Sequence, residues 1–147
     1  MIKVDMNEFG KCLIATANLK KGTTVASFDG LILKAQKASE LPVGSKNHAI
    51  QFAENKWRDS YGIARYANHS CNPNCGIKDM FILITMRNVV YGEELTWDYD
   101  MTENSDWRME CRCGALNCRK TVGAFSLLPL LKIKEYEGYI SPWLIKT

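Results

Sequence analysis

Histidine is nearly absent: His48 and His69 are the two in 147 residues. Acid–base catalysis built on imidazole therefore has few groups to draw on. The chain also lacks a Lys/Arg block beyond Lys20 and Lys21, and its net charge is only +3. That balance excludes the basic face of a nucleic-acid-binding domain, so no direct nucleic-acid partner is expected. No Gly-rich phosphate loop, dinucleotide fingerprint or internal repeat occurs, which removes most common nucleotide-binding architectures. The longest uncharged apolar stretch, 121–131, is interrupted by Pro129 and falls far short of the roughly 20 residues a spanning helix needs. The amino terminus carries Asp5 and Glu8 and lacks the apolar run of a secretory signal. The expectation is an intracellular protein without a membrane partner, in which thiols stay reduced.

Six cysteines then need a reason other than disulfides. Cys12 stands alone, Cys71 and Cys75 flank a loop, and Cys111, Cys113 and Cys118 form C-x-C-x4-C in "CRCGALNC". Three thiolates make an incomplete tetrahedral zinc site, and a structural site wants four protein ligands. The fourth has to come from a distant part of the chain.

With 46% hydrophobic and 24% charged residues, the chain reads as one soluble domain. Short strands are expected at 12–16 and 24–28 around a turn at Gly22. Asp29-Gly30 signals a hairpin returning through 31–33, and 36–47 reads as irregular. Strands follow at 49–52 and 56–58, then a buried one at 80–86 ("MFILITM") and another at 95–97. Residues 101–110 read as a polar connector, and 125–136 as a short helix packing on the body. Many short strands with little helix give a mainly β fold of small sheets.

The ordered pieces "GKCL" (10–13), "FDG" (28–30), "RYANHSCNPN" (65–74), "GEELTWDY" (92–99) and "CRCGALNCRK" (111–120) resemble the SET-domain protein lysine methyltransferases with a post-SET zinc segment. The resemblance implies a SET fold in which the C-terminal part tucks beneath the 65–75 loop in a knot-like crossing, a rare exception to unthreaded topology. It divides the chain into a SET domain (1–104), a post-SET zinc-binding segment (105–123) and a C-terminal helix or tail (124–147). It also implies transfer of a methyl group from S-adenosylmethionine to a lysine ε-amine of a histone or other protein, and a nuclear location in a eukaryote or a cytoplasmic one otherwise.

The site residues follow from the same resemblance. Tyr99 is the catalytic residue. Asn68, His69, Arg65 and the backbone at Lys11 and Cys12 meet the cofactor. Cys12 replaces the second Gly of the family's G-x-G, which is tolerable where φ is negative. Tyr66 and Trp97 border the substrate channel, and Trp97, lacking a hydroxyl to hold a water, leans toward di- or trimethylation. Cys71 completes one structural zinc with Cys111, Cys113 and Cys118, while Cys75 and Cys12 are core or free thiols. A Cys71/His69 nucleophilic pair is set aside, because catalytic partners converge from separate segments. Glu93 and Glu94 read as a solvated turn, since neighbours entering a strand face opposite ways. Trp107 and Phe125 read as core. The rival readings are a SET-like zinc-containing module that binds protein but modifies it weakly or not at all, and a small zinc domain for nucleic acid, which would need a basic face.

Overall fold

The computed structural model describes residues 1–145. The first strands are β1 (Ile2–Asn7), β2 (Gly10–Ala15), β3 (Thr24–Ser27), β4 (Leu31–Lys34), β5 (Ala49–Ala53) and β6 (Lys56–Asp59). They are followed by β7 (Asn68–His69), β8 (Cys75–Lys78), β9 (Ile82–Thr85), β10 (Thr96–Trp97), β11 (Asn104–Glu110) and β12 (Thr121–Ala124). Among the described residues the only α-helix is α1 (Leu130–Glu135). The strands form small sheets: β1-β2, β3-β9-β8, β4-β6-β5, β11-β12 and a parallel β10-β7 pair. A mainly β fold with little helix is thus what the chain adopts.

Several local expectations are corrected. The strand expected at 12–16 does not pair with 24–28: β2 pairs with β1, and β3 with β9. β1 escaped notice because its central residues Lys3 to Met6 are all exposed, so it carries no buried face. Asp29-Gly30 does not close a hairpin either. It passes the chain to another sheet, where β4 pairs with β6 and Asp29 Oδ1 accepts from Ser60 Oγ and the Tyr61 and Gly62 N–H groups. Gly30 sits at φ +102°, and a Cβ there would overlap the Asp59 carbonyl.

Residues 104–110, expected as a connector, form β11 with strictly alternating exposure. Ser105, Trp107 and Met109 turn inward between charged and polar neighbours, a period-2 pattern too polar to stand out. The helix expected over 125–136 is shorter. A 3₁₀ turn at Phe125–Leu127 precedes α1, because Pro129 ends one and caps the other.

The main core gathers Leu13, Phe28, Ile77, Leu83, Leu95 and Met101. The crossing implied by the sequence runs through this centre. Segment 95–102 lies against the 67–70 loop on one side, through β7-β10 and Ser70 N–H to Trp97 O (3.0 Å). On its other side lies the C-terminal tail, with Ser141 N–H donating to Met101 O (2.8 Å) and Trp143 Nε1 to Thr102 O (2.9 Å).

The tail is seated on Gly76 of β8, where a Cβ would come within 2.5 Å of Tyr139 Cβ. Overpacking of this kind costs about 2 kcal/mol, so Gly76→Ala is expected to lower the thermal midpoint by about 6 °C. Melting followed by circular dichroism checks it, and an unchanged midpoint would show that the tail yields freely.

Candidate functional site

A 3₁₀ turn at Ile63–Tyr66 leads into β7, which lays Asn68 and His69 beside the "TWDY" segment. Asn68 Nδ2 donates to Lys11 O (3.1 Å) and to Glu94 Oε2 (3.0 Å), so the three motifs at 10–13, 65–74 and 92–99 meet at one amide. Glu93 behaves as the surface-turn residue expected, pairing with Arg87 (3.0 Å). Glu94 does not: it also accepts from Asn7 Nδ2 (3.2 Å) and lines a cleft. Cys12 has no positive φ and is 1% exposed; its thiol belongs to the interior, leaving its backbone as the only part that fits the expectation.

Tyr99 opens a short 3₁₀ turn, Tyr99–Met101, capped by Asp98, whose Oδ1 accepts from Asp100 N–H. Its hydroxyl donates to Ala67 O (3.2 Å), and Trp97 Nε1 donates to the same carbonyl (3.2 Å). Burial, reinforced by the Glu94 charge, raises the Tyr99 phenol well above its ordinary pKa, so it stays a neutral hydrogen-bonding group. Tyr99 N–H donates to His69 Nδ1 (3.1 Å), which leaves the ring proton on Nε2, 3.3 Å from Cys71 Sγ. Burial lowers His69 to about 4 despite Asp98 nearby, so this imidazole is neutral and faces thiols.

Two adjoining hollows of about 390 and 310 Å³ share Phe9, Asn68, Tyr99 and Met109. Each is of the size that holds a small molecule. Lys11 and Arg65 line the first, and His69 and Glu94 the second. A third, narrow cavity of about 30 Å³ is walled by Phe28, Trp97, Tyr99 and Trp107 and includes Arg65 and Glu103. Tyr99 lines all three spaces. Arg65 belongs to two of them, and its Nε is buried without a hydrogen-bond partner among the described residues. Tyr66, expected at the substrate channel, faces the larger hollow instead, its ring held under the Lys11 ammonium at 4.9 Å. Trp97 does line the narrow cavity. Trp107 packs on the smaller Ala38–Leu41–Trp57 core as expected and also borders two of the spaces, its ring 6.2 Å from that of Tyr99; Phe125 packs on the core as expected.

The thiol arithmetic closes. Cys71, Cys111, Cys113 and Cys118 bring their sulfurs within 4.8 Å of one another, with Cys71 and Cys111 at 3.8 Å. A tetrahedron with metal–sulfur distances of about 2.3 Å has edges of about 3.8 Å, so the set fits one zinc ion. Hydrogen-bond donors already point at two of its sulfurs. Cys71 Sγ lies 3.3 Å from His69 Nε2 and accepts from Arg119 N–H at 3.3 Å, and Cys113 Sγ accepts from Cys71 N–H. Burial raises Cys71 to about 11, whereas at Cys113 the backbone donors outweigh burial and bring the thiol to about 7. Cys75, 0% exposed, stays in the core.

One group that sequence reasoning missed ties these parts together. Asp98 is 0% exposed and takes Arg119 Nη1 and Nη2 (2.8 Å each) and Tyr136 Oη (2.9 Å). Arg119 Nη2 also reaches Asp100 Oδ2 (3.0 Å). Burial opposes the charge on Arg119, but Asp98 and Asp100 push its pKa further up. The available signal was adjacency: Asp98 precedes Tyr99, and Arg119 follows Cys118.

The SET domain profile matches residues 10–100, and the chain belongs to the SET domain family. Over 127 residues it is 35% identical to the histone-lysine N-methyltransferase trr of Drosophila melanogaster, a match covering 76% of this chain and 5% of that protein. It is 36% identical over 127 residues to histone-lysine N-methyltransferase 2D of Homo sapiens, covering 76% of this chain and 2% of the relative. The chain therefore spans a small part of the length of these curated relatives. Among solved structures, KRYPTONITE in complex with mCHH DNA, H3(1-15) peptide and SAH superposes with a TM-score of 0.65 at 23% identity, over 82% of this chain and 29% of that one. That likeness shows the SET fold.

The clamp sets a stability expectation. Removing one partner of a buried ion pair strands the other and costs about 3 kcal/mol or more. Arg119→Met is expected to destabilise the protein by about that amount in urea unfolding, and a loss below about 1 kcal/mol would mean that Asp98 finds other partners.

Proposed function

We propose that this chain is an S-adenosylmethionine-dependent protein lysine N-methyltransferase, acting on a histone or another protein. One observation carries the reading: a cofactor-sized cleft and a narrow aromatic cavity adjoin at Tyr99, on the residues that match the family's motifs. The names of the relatives support it. In this reading residues 1–104 form the SET domain, 105–123 the post-SET segment and 124–147 a C-terminal tail, of which 146 and 147 lie outside the described residues. The relatives also support an intracellular protein, nuclear where the cell has a nucleus.

The residues present suit the cofactor. Asn68 and Glu94 offer oxygens to its amino group, and Arg65, with its unpartnered Nε, suits its carboxylate. Phe9 and Met109 give apolar walls to both hollows, and Lys11 contributes its carbonyl at the rim. His69 acts from within, orienting Tyr99 through its backbone N–H. When bound, S-adenosylmethionine supplies an electrophilic methyl group on a sulfonium.

The chain's own task is to align and desolvate. A free lysine has a pKa near 10.4, and only its neutral amine is nucleophilic. A narrow cavity walled in part by Phe28, Trp97 and Tyr99 restricts the hydration of the ammonium and so disfavours it, and holds the amine in line for displacement. The Tyr99 hydroxyl and the Ala67 carbonyl are the fixed dipoles at that point. Trp97, whose indole N–H is already bonded to Ala67 O, offers no hydroxyl toward the amine, which favours higher methylation states. β5 is an edge strand whose Ala49 and Ile50 border the cavity, so a substrate segment adding along it would present its lysine inward. Zinc on Cys71, Cys111, Cys113 and Cys118 would fix the post-SET segment against the cleft, where Cys111 and Cys113 form part of the wall.

Two outcomes are expected. Incubation of protein and peptide arrays with labelled S-adenosylmethionine, read by mass spectrometry, will place methyl groups on lysine; Tyr99→Phe will keep cofactor affinity while turnover falls about 100-fold. Cofactor binding without transfer to any substrate would instead favour the binding-module reading, and unchanged turnover in Tyr99→Phe would remove Tyr99 from the mechanism. Elemental analysis will find one zinc per chain, lost in Cys113→Ser together with activity; active protein without metal would remove the zinc assignment.

A further inference from the structure

A buried carboxylate shares the narrow cavity with Tyr99 and has no part in the scheme above. Glu103 is 6% exposed. Its backbone is pinned on both sides: its N–H donates to Tyr99 O (3.0 Å) and its carbonyl accepts from Phe125 N–H (2.7 Å). The first of these bonds keeps Glu103 one turn beyond Tyr99, on the same side of the chain. Its carboxylate is held by Trp57 Nε1 (3.2 Å) and Ser105 Oγ, both on Oε2; Oε1 makes no hydrogen bond among the described residues, and Glu103 lines the cavity. The cavity, at about 30 Å³, has room for about two waters, or for an ammonium group and one water.

We propose that Glu103 accepts the proton of the substrate lysine in this cavity, directly or across one water, before the methyl group moves. This rests on the reading of the chain as a lysine methyltransferase. The N–H bond of the ammonium breaks as an O–H bond forms on Glu103. The freed lone pair then forms the N–C bond while the methyl–sulfur bond breaks, its electron pair staying on sulfur. The methylated amine leaves as a cation, and Glu103 returns its proton to water.

Two groups beside it are poorer acceptors. Tyr99 is a neutral phenol whose hydroxyl is already donated to Ala67 O, and Arg65 is a cation. His48 and Lys46 line the cavity from the 45–48 segment, ahead of β5. Glu103 itself is poised near neutrality: burial, aided by Asp100 on the Tyr99–Met101 turn and Asp106 on β11, raises it to about 7 against the bonds from Ser105 and Trp57. A base near the working pH is the efficient one. Because its pKa is raised, the acceptor form is lost below about pH 7 and gained above it, so the rate rises with pH through that point.

The test is the pH dependence of kcat with saturating cofactor and peptide, for the native protein and Glu103→Gln, which keeps an oxygen for Trp57 and Ser105. The native profile should inflect near pH 7. The variant should lose about 100-fold at pH 7, show no inflection there, and recover to within about tenfold by pH 9.5 as the lysine deprotonates unaided, with cofactor affinity unchanged. A purely structural carboxylate would give a deficit equal at every pH, and that result, or full activity in the variant, overturns the proposal. A native profile flat between pH 6 and 8 overturns it without any variant having to fold. If the native protein binds cofactor but methylates no lysine at any pH, the methyltransferase reading itself falls, and this assignment with it.

Discussion

A single carboxylate with no solvent exposure holds the working parts together. Asp98 lies between Trp97 and Tyr99, yet its partners come from elsewhere: Arg119 from beside the cysteine cluster and Tyr136 from just past α1. An unpaired charge at this depth is strongly unfavourable, so the fold is stable only when those segments are in place. The cysteine-rich segment, the C-terminal helix and the Tyr99–Met101 turn are therefore one unit in energetic terms, though they are distant in sequence. His69 extends the unit, with Nδ1 bonded to Tyr99 N–H and Nε2 beside Cys71 Sγ. The cysteine cluster and the orientation of Tyr99 are joined through His69 and Cys71.

The three spaces around Tyr99 divide the labour by polarity. The wide hollows carry Asn68, Glu94, Lys11 and Arg65, which suit a zwitterionic cofactor. The narrow cavity is aromatic, with Phe28 and Trp97 in contact at 5.3 Å between ring centroids and Trp97 and Tyr99 at 5.0 Å. Such walls leave a space of about 30 Å³, narrow enough to limit what enters it. Glu103 is the one carboxylate of that lining, which also carries Lys46, His48 and Arg65, and a buried carboxylate beside aromatic rings is the kind of local inconsistency that functional sites tolerate.

Much of this was legible in the sequence because it is carried by short motifs in a fixed order. Asn68, His69, Tyr99 and the four cysteines converge as their motifs imply, and β9 was visible as the apolar run at 80–86. What stayed hidden has a common cause: its signal lies in partners, not in local pattern. Asp98 looks like any strand-end acid until Arg119 is beside it. β1 has no buried face because its centre is wholly exposed, and in β11 the inward Trp107 and Met109 stand beside Ser105 and between charged residues, too weak a pattern to stand out. Phe9 and Met109 reach the cleft from a hairpin turn and from β11, at positions no periodicity singles out, and Tyr66 turned to the wider hollow because Lys11 and Arg65 hold its ring.

Through His69 and Asp98 the cysteine cluster and the candidate cofactor cleft are expected to behave as one cooperative body. Calorimetric titration of S-adenosylmethionine into zinc-loaded protein, and into the same protein stripped by a chelator, tests this most directly. The expected result is a loss of at least about tenfold in affinity on stripping, about 1.4 kcal/mol, while far-ultraviolet circular dichroism shows the β core intact. Equal affinities in the two states, with zinc demonstrably removed, would contradict it.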